Sequence, residues 1–445
     1  MAIAPNQTDP DLQTGLQYLR AGWFDRAEPL FRMAYARYGE RPDVLHYLAV
    51  CLSQRGALSE AADLWRKAIA KDPNEPMLAY NLGQAARRLG QWDEAARRFR
   101  DVLRRQPGHL EAKLALASLH IDQGKFAAAE REAAEVVANL EEAIQKSPED
   151  NRLKPLQARA RNMLGHVLYR MGHASAAIEV LDMAIQDAGE DQGRRAQILG
   201  DRALALGAMG RHDDAVGEAQ KAVELAPQNP SVNHVLGFVL YFAGKPLDAI
   251  PPIEKALQLD PNFTVARQTL ANVLSAAGRI DEATGLLRTA LQQNPLDRNA
   301  ILQLSFLHME KARFGEAVDL LTPYLAARPD DAQALNNMGL ALRGLKRTDE
   351  AHRALKRASR LEENDPLILT NLGQVLSDLG RPAEARPLHE RALRALPGDA
   401  RLLANYGACL AALGDKDKAR ETLDAALAVD PNNQDALNAR IALDA

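Results

Sequence analysis

The chain has 445 residues, of which 47% are hydrophobic and 26% are charged, as is usual for a water-soluble protein. Its formal net charge of −4 is too small to favour nucleic acid or an anionic membrane as a partner of the whole molecule. The two cysteines, Cys51 and Cys409, lie ten repeats apart in the pattern described below, so no disulfide is expected and a reducing compartment is favoured.

The first residues, MAIAPNQTDP, lack the basic region and apolar run of a secretory signal, so none is expected. No uninterrupted apolar stretch reaches the ~18 residues that a membrane-spanning helix requires, so no membrane insertion is expected. Together these features predict a cytoplasmic protein.

A pattern with a period of 34 residues runs through the chain and is clearest from Pro230 to Pro261. Each copy contains two short helical patterns separated by a turn and closed, in most copies, by proline. A partial copy begins at Gln434. Twelve complete copies begin at Thr8, Pro42, Pro76, Leu110, Ala158, Ala196, Pro230, Thr264, Arg298, Ala332, Pro366 and Ala400.

Three positions of the repeat carry small residues. The eighth is Gly, Ala or Ser, and the twentieth is alanine in all twelve copies. Two antiparallel helices approach to ~8–10 Å only where the residues at their crossing are small. The fifteenth position is glycine in ten copies, with Ala312 and Lys346 in the other two. The turn between the helices favours glycine because it requires a positive φ.

These positions resemble the tetratricopeptide repeat, and the resemblance covers about residues 8–433. It implies an all-α fold, a right-handed solenoid (superhelix) of about twelve helix-turn-helix repeats. The partial copy from Gln434 is predicted to form a C-terminal capping helix.

The spacing is broken once in the first half of the chain. The second helix of repeat 4 is predicted to be long and acidic, and repeat 5 begins 48 residues after Leu110. Residues 137–157 are therefore predicted to join two segments, residues 8–150 with repeats 1–4 and residues 151–445 with repeats 5–12 and the cap. Whether this joint acts as a hinge stays open.

The chain lacks the motifs of common catalytic sites. It contains no G-x-S-x-G, H-E-x-x-H or G-x-G-x-x-G sequence, and its ten histidines fall at different repeat positions. No catalytic residue, metal site or cofactor is predicted, and the protein is not expected to be an enzyme.

Partner binding is expected in the concave groove, which positions 2, 5, 6, 9, 12 and 13 of each first helix line in this family. In repeat 3 these positions hold Asn81, Arg87 and Arg88, which could receive an acidic peptide. Repeats 7 and 9 supply apolar candidates. They are His234, Phe238, Tyr241 and Phe242 in repeat 7, with Phe306 and Met309 in repeat 9. Three interpretations stay open for the aromatic group: partner binding, packing within the solenoid, and self-association.

Asparagine occupies position 6 in repeats 10, 11 and 12, as Asn337, Asn371 and Asn405, and Asn336 stands beside the first of them. An amide both donates and accepts hydrogen bonds, so such a row can hold a peptide backbone. The row resembles the asparagine ladder in the tetratricopeptide superhelix of protein O-GlcNAc transferases, although it spans only three repeats here.

The favoured function is a non-enzymatic adaptor that binds an extended or disordered segment of another protein. One alternative is the substrate-recruiting arm of a glycosyltransferase or sulfotransferase whose catalytic part is absent. Another is a self-assembling scaffold, for which a homodimer is the simplest form.

Overall fold

The computed structural model describes residues 9–444, and the predicted repeat start at Thr8 lies outside them. Every regular element in this range is an α-helix, which confirms the predicted all-α class. The chain divides after Lys245 into two compact units, each a stack of antiparallel helices.

The first unit contains thirteen helices, which alternate as the first and second helices of repeats 1–6 and end with the first helix of repeat 7. They are α1 (Pro10–Arg20), α2 (Phe24–Tyr38), α3 (Pro42–Gln54), α4 (Leu58–Lys71), α5 (Pro76–Arg88), α6 (Trp92–Arg105), α7 (Leu110–Asp122), α8 (Phe126–Lys146), α9 (Leu153–Arg170), α10 (Ala174–Asp187), α11 (Gln192–Ala208), α12 (His212–Leu225) and α13 (Pro230–Phe242).

The second unit contains twelve helices in the same alternation. They are α14 (Pro246–Leu259), α15 (Thr264–Ala276), α16 (Ile280–Gln293), α17 (Arg298–Glu310), α18 (Phe314–Ala327), α19 (Ala332–Gly344), α20 (Thr348–Leu361), α21 (Pro366–Asp378), α22 (Pro382–Ala395), α23 (Ala400–Ala412), α24 (Lys416–Val429) and α25 (Gln434–Asp444). The last of these is the predicted capping helix.

Local sequence fixes where the first helices begin. In four successive repeats of the second unit, the residue before the first helix is an aspartate. Its side chain accepts a hydrogen bond from a backbone N–H of the first turn. This satisfies a donor that would otherwise have no partner inside the helix. These N-caps are Asp297, Asp331, Asp365 and Asp399.

The turn after each first helix has the predicted geometry. All ten glycines at position 15 have a positive φ. Ala312 and Lys346 adopt the same conformation, with φ of 55° and 60°, although L-residues with a side chain rarely do so. The fold therefore imposes this turn even where the sequence does not favour it.

The small positions meet as predicted. The alanines at position 20 are all buried, each with at most 1% exposure. The glycines at position 8 lie against the large side chain at position 24 of the same repeat: a Cβ on Gly339 would lie 2.5 Å from Leu355, and a Cβ on Gly407 would lie 2.6 Å from Leu423. In the repeats with these glycines, the absence of a Cβ thus makes room for the core side chain at position 24.

The interruption after repeat 4 consists of helix rather than loop. Helix α8 has 21 residues and α9 has 18, longer than their counterparts in regular repeats. Leu140, in the extension of α8, is buried together with Val136 against Leu114 and Ala160 of the neighbouring helices. The predicted division at residue 150 and the hinge at residues 137–157 stay predictions; the compact units themselves divide after Lys245. Within residues 9–444, none of the helices has the length and apolar character needed to cross a membrane.

Candidate functional site

The first helices form the inner layer of each stack. In the second unit α15, α17, α19, α21 and α23 each contact the next first helix, whereas no pair of second helices makes a comparable contact among the described residues. In a curved stack, successive helices lie closer together on the concave side than on the convex side. The groove positions belong to these first helices, and that they line a partner-binding groove stays a prediction. The two units are described in turn.

In the first unit the predicted aromatic residues form one cluster on α13. The Phe238 and Phe242 ring centroids lie 4.6 Å apart, and the Tyr241 ring meets Phe242 edge-on at 5.2 Å. His234 lies 6.1 Å from Phe238, and burial lowers the pKa of its imidazole to about 4. Phe242 remains 57% exposed, so the cluster presents apolar surface although its members pack on each other.

Repeat 3 brings its predicted residues into two different environments. Arg87 pairs with Asp122 of the next repeat, with 3.4 Å between nitrogen and oxygen, while Arg88 is exposed. Asn81 lines a separate cavity of about 460 Å³ whose wall includes Met77, Tyr80 and the carboxylate residues Glu75 and Glu111. Two carboxylate residues thus share the cavity wall with Asn81, and an acidic peptide at Arg87 and Arg88 stays a prediction.

In the second unit Phe306 and Met309 lie on the groove face of α17. Phe306 is 53% exposed, and Met309 is partly buried. Together the two side chains present apolar surface on this helix.

The predicted asparagine row lies in the groove, but most of its hydrogen bonds join neighbouring repeats. Asn337 donates from Nδ2 to the Leu302 carbonyl at 3.3 Å and to Ser305 Oγ at 3.0 Å. Asn371 donates to Oδ1 of Asn336 at 2.8 Å, and Asn336 is itself buried. These amides hold first helix to first helix, and their orientation is fixed before any partner arrives.

A connected chain of side chains that the sequence did not single out continues this row. Arg343 pairs with Asp378 at 2.5 Å and donates from Nη1 to Gln374 Oε1 at 3.1 Å. Gln374 in turn donates from Nε2 to Asn405 Oδ1 at 2.6 Å. Gln374 and Arg343 occupy groove positions 9 and 12, so a search of all groove positions for polar residues, not only position 6, would have found them.

Side chains with reactive chemistry are shielded. Burial raises the pKa of the Cys51 thiol to about 12 and also raises the pKa of the Cys409 thiol. Across residues 9–444 no group of three or more His, Cys, Asp or Glu side chains has an arrangement that could hold a metal ion.

Comparison with known families matches models of the tetratricopeptide repeat to more than half of the chain. One model matches residues 12–76 and 80–147, a second matches residues 243–305, 274–341 and 376–441, and a third matches residues 332–361. Comparison with curated proteins gave no match.

Two solved structures resemble the whole chain at low sequence identity. Yeast Tom70 is 17% identical with a TM-score of 0.50, over 92% of this chain and 96% of that chain. A chain of the APC/C hetero-tetramer Cut9–Hcn1 is 14% identical with a TM-score of 0.47, over 96% of this chain and 95% of that chain. At 17% identity the likeness to Tom70 shows a shared all-α repeat fold and nothing finer.

Proposed function

Because this chain belongs to the tetratricopeptide-repeat family, we propose that it is a non-enzymatic scaffold whose groove in the unit from Pro246 onward binds an extended segment of a partner protein. The observation that carries the proposal is the 53% exposure of Phe306 at the centre of a groove helix. Burial of this ring by a partner segment would remove a large apolar side chain from water, which favours binding.

The asparagines support this function less directly than the sequence suggested. A hydrogen bond contributes ~0.5–1.5 kcal/mol, whereas ordering a flexible peptide costs ~1–2 kcal/mol per residue. The Nδ2 groups of Asn337 and Asn371 also donate to neighbouring repeats. Apolar anchors must therefore supply most of the binding free energy, and burial of one phenylalanine contributes ~1.5–3 kcal/mol.

Fixed amides still favour binding in another way. Because inter-repeat hydrogen bonds already hold Asn337, Gln374 and Asn405 in place, little side-chain entropy is lost when a segment meets them. The groove thus combines a pre-ordered polar floor with the exposed ring of Phe306. The aromatic cluster on α13 is proposed as a separate contact in the first unit.

Selection of random displayed peptides on the immobilised protein tests this function. The best peptide is then titrated against the wild type, Phe306→Asp and the control Val429→Asp by fluorescence anisotropy. Val429 is 57% exposed but lies on a second helix, outside the inner layer. We expect Phe306→Asp to weaken binding by about tenfold or more, since 1.4 kcal/mol corresponds to tenfold, and Val429→Asp to leave binding unchanged. Failure to select any peptide, or loss only in the control, would contradict the proposal.

A further inference from the structure

A cavity of about 280 Å³ opens at the end of the groove, between α19, α21, α23 and α25. Its wall includes the chain of side chains from Arg343 through Gln374 to Asn405, together with Asp378 and Asp435. It also reaches His389 on α22, behind the inner layer, which is only 1% exposed. The cavity therefore extends deeper than the surface along which the main chain of a bound segment would run.

The direction of the hydrogen bonds in this wall is fixed by chemistry. A guanidinium group has donors and no acceptor, so the Gln374 atom 3.1 Å from Arg343 Nη1 must be the amide oxygen. The Gln374 nitrogen then faces Asn405, and the Asn405 atom 2.6 Å away must be its oxygen. The Asn405 nitrogen is left at the end of the chain, and it donates to no acceptor among the described residues.

Charge and polarisation then define what this end can bind. The arginine at the head of the chain polarises each successive hydrogen bond, which strengthens the last N–H as a donor. The charged residues of the wall are two carboxylates, Asp378 and Asp435, against the single guanidinium of Arg343, which Asp378 already pairs. A negatively charged ligand is therefore disfavoured, and a neutral carbonyl acceptor is favoured.

The deep wall of the cavity adds no charge to this balance. Neither ring nitrogen of His389 has a hydrogen-bond partner among residues 9–444. Burial lowers the pKa of this imidazole to about 4, so at neutral pH the ring carries no charge and offers one donor and one acceptor. The Nε2 atom of this ring lies against Gly373, where an added Cβ would be 2.5 Å away, so His389 forms an uncharged back wall and is not a contact of the ligand.

We propose that this cavity binds the carboxamide side chain of a glutamine or asparagine in the partner segment. Its carbonyl accepts from Asn405 Nδ2, and its amide N–H groups donate towards the Asp435 carboxylate. A carboxamide supplies an acceptor for Asn405 and donors for Asp435 without a net charge. The inference rests on the proposed function and adds a sequence preference to it: a segment held only by its backbone would show none.

The test uses the displayed-peptide selection on the full chain. The best peptide is resynthesised with its shared glutamine or asparagine changed to methionine, to the matching acid and to lysine. All forms are titrated against the wild type, Asn405→Asp and the control Gln292→Glu, which makes the same amide-to-acid change. Gln292 is exposed on the second helix α16, outside the inner layer. Circular dichroism establishes that each variant is folded.

We expect the wild type and Gln292→Glu to bind the methionine and acid forms about tenfold more weakly than the parent peptide. Asn405→Asp should reverse this preference and bind the lysine form most tightly, because the polarised donor becomes a carboxylate. Selected peptides without a common carboxamide, or equal affinities of all forms for the wild type, would overturn this inference while leaving peptide binding established. Recovery of no peptide at all would overturn the proposed function as well.

Discussion

At the residue scale, the spacing between the two helices of a repeat depends on pairs of positions that compensate each other in size. Gly339, Gly373 and Gly407 leave room for Leu355, His389 and Leu423 in the same repeats. A methyl group at any of these glycines would overlap the partner side chain, since its distance to the nearest atom would be 2.5–2.6 Å. The requirement at these positions is for volume and not for backbone freedom, because their φ values are not positive.

The first prediction concerns Gly339→Ala. The added Cβ lies 2.5 Å from Leu355 Cγ, so either the helices or the leucine must shift. We expect a loss of ~1–3 kcal/mol in the free energy of unfolding, as for other overpacked cores. Urea denaturation followed by circular dichroism measures it.

The matched control is Gly285→Ala on α16, where nothing lies within 4 Å of the added atom. This change should increase stability by ~0.5–1 kcal/mol, because alanine favours the helix over glycine. Equal effects of the two substitutions would show that packing at position 8 does not limit the helix spacing.

The second prediction concerns the pH dependence of stability at His389. Its pKa is lowered from 6.5 to about 4 by burial, so the unfolded chain takes up a proton before the folded chain does. Stability is therefore lost as the pH falls from about 6.5 towards 4, by up to ~1.4 kcal/mol per pH unit. His389→Leu, which copies the residues of the adjacent repeats, should remove this component and unfold less readily at pH 4.5 than the wild type.

Chemical denaturation at several pH values gives the free energy of unfolding of both proteins. In the difference between them, the contributions of the other titrating groups cancel. His173→Leu is the control, since His173 is exposed. A wild type and His389→Leu variant with parallel pH profiles would contradict the assignment of this pH dependence to His389.

At the element scale, side-chain amides join first helix to first helix across repeats. Gln303 donates to the Gln268 carbonyl and to Asn272, and Asn337 and Asn371 make the next two connections. Apolar inter-repeat contacts are non-directional and tolerate small rotations. Directional hydrogen bonds at regular intervals restrict that rotation and so help to set the curvature of the groove.

The third prediction is that Asn337→Ala lowers the free energy of unfolding by about 1 kcal/mol, since it removes the donor to Leu302 and Ser305. The control is Asn299→Ala, an exposed side chain at the start of α17. Thermal and urea unfolding compare the two variants. If Asn337→Ala proves as stable as Asn299→Ala, the inter-repeat amides do not stabilise the stack.

At the scale of the whole molecule, each unit is a linear array in which a helix packs on its neighbours in sequence. Stability in such an array is close to a sum of repeat and interface contributions. Because the small positions recur every 34 residues, any repeat in the regular part presents nearly the same surface to the next one.

The fourth prediction follows from this regularity. Deletion of residues 298–331, one whole repeat, should give a folded protein with unchanged helicity per residue and a lower urea midpoint, because α16 can then pack on α19. Deletion of residues 298–310 alone, which removes α17, should cause a much larger loss, because it leaves α18 without its partner helix. Circular dichroism and urea unfolding distinguish the two, and comparable stability of both deletions would contradict the prediction.

Much of this architecture was determined by the sequence alone. The 34-residue period placed the helices, the alanines at position 20, the turn at position 15 and the capping helix, because each depends on residues close together in the chain. The groove positions followed from the same register. A glycine or an aspartate acts on its own turn of helix, so its effect is visible without the fold.

The tertiary structure decided which groove residues have hydrogen-bonding capacity left for a partner. Asn337, Asn371 and Asn405 occupy identical repeat positions, yet the donors of the first two bond to neighbouring repeats, and only the Asn405 nitrogen is left at the end of a hydrogen-bond chain. The local sequence NMG, NLG and NYG does not separate them. The difference arises from side chains 31–35 residues away, since a hydrogen bond depends on distance in space and not along the chain.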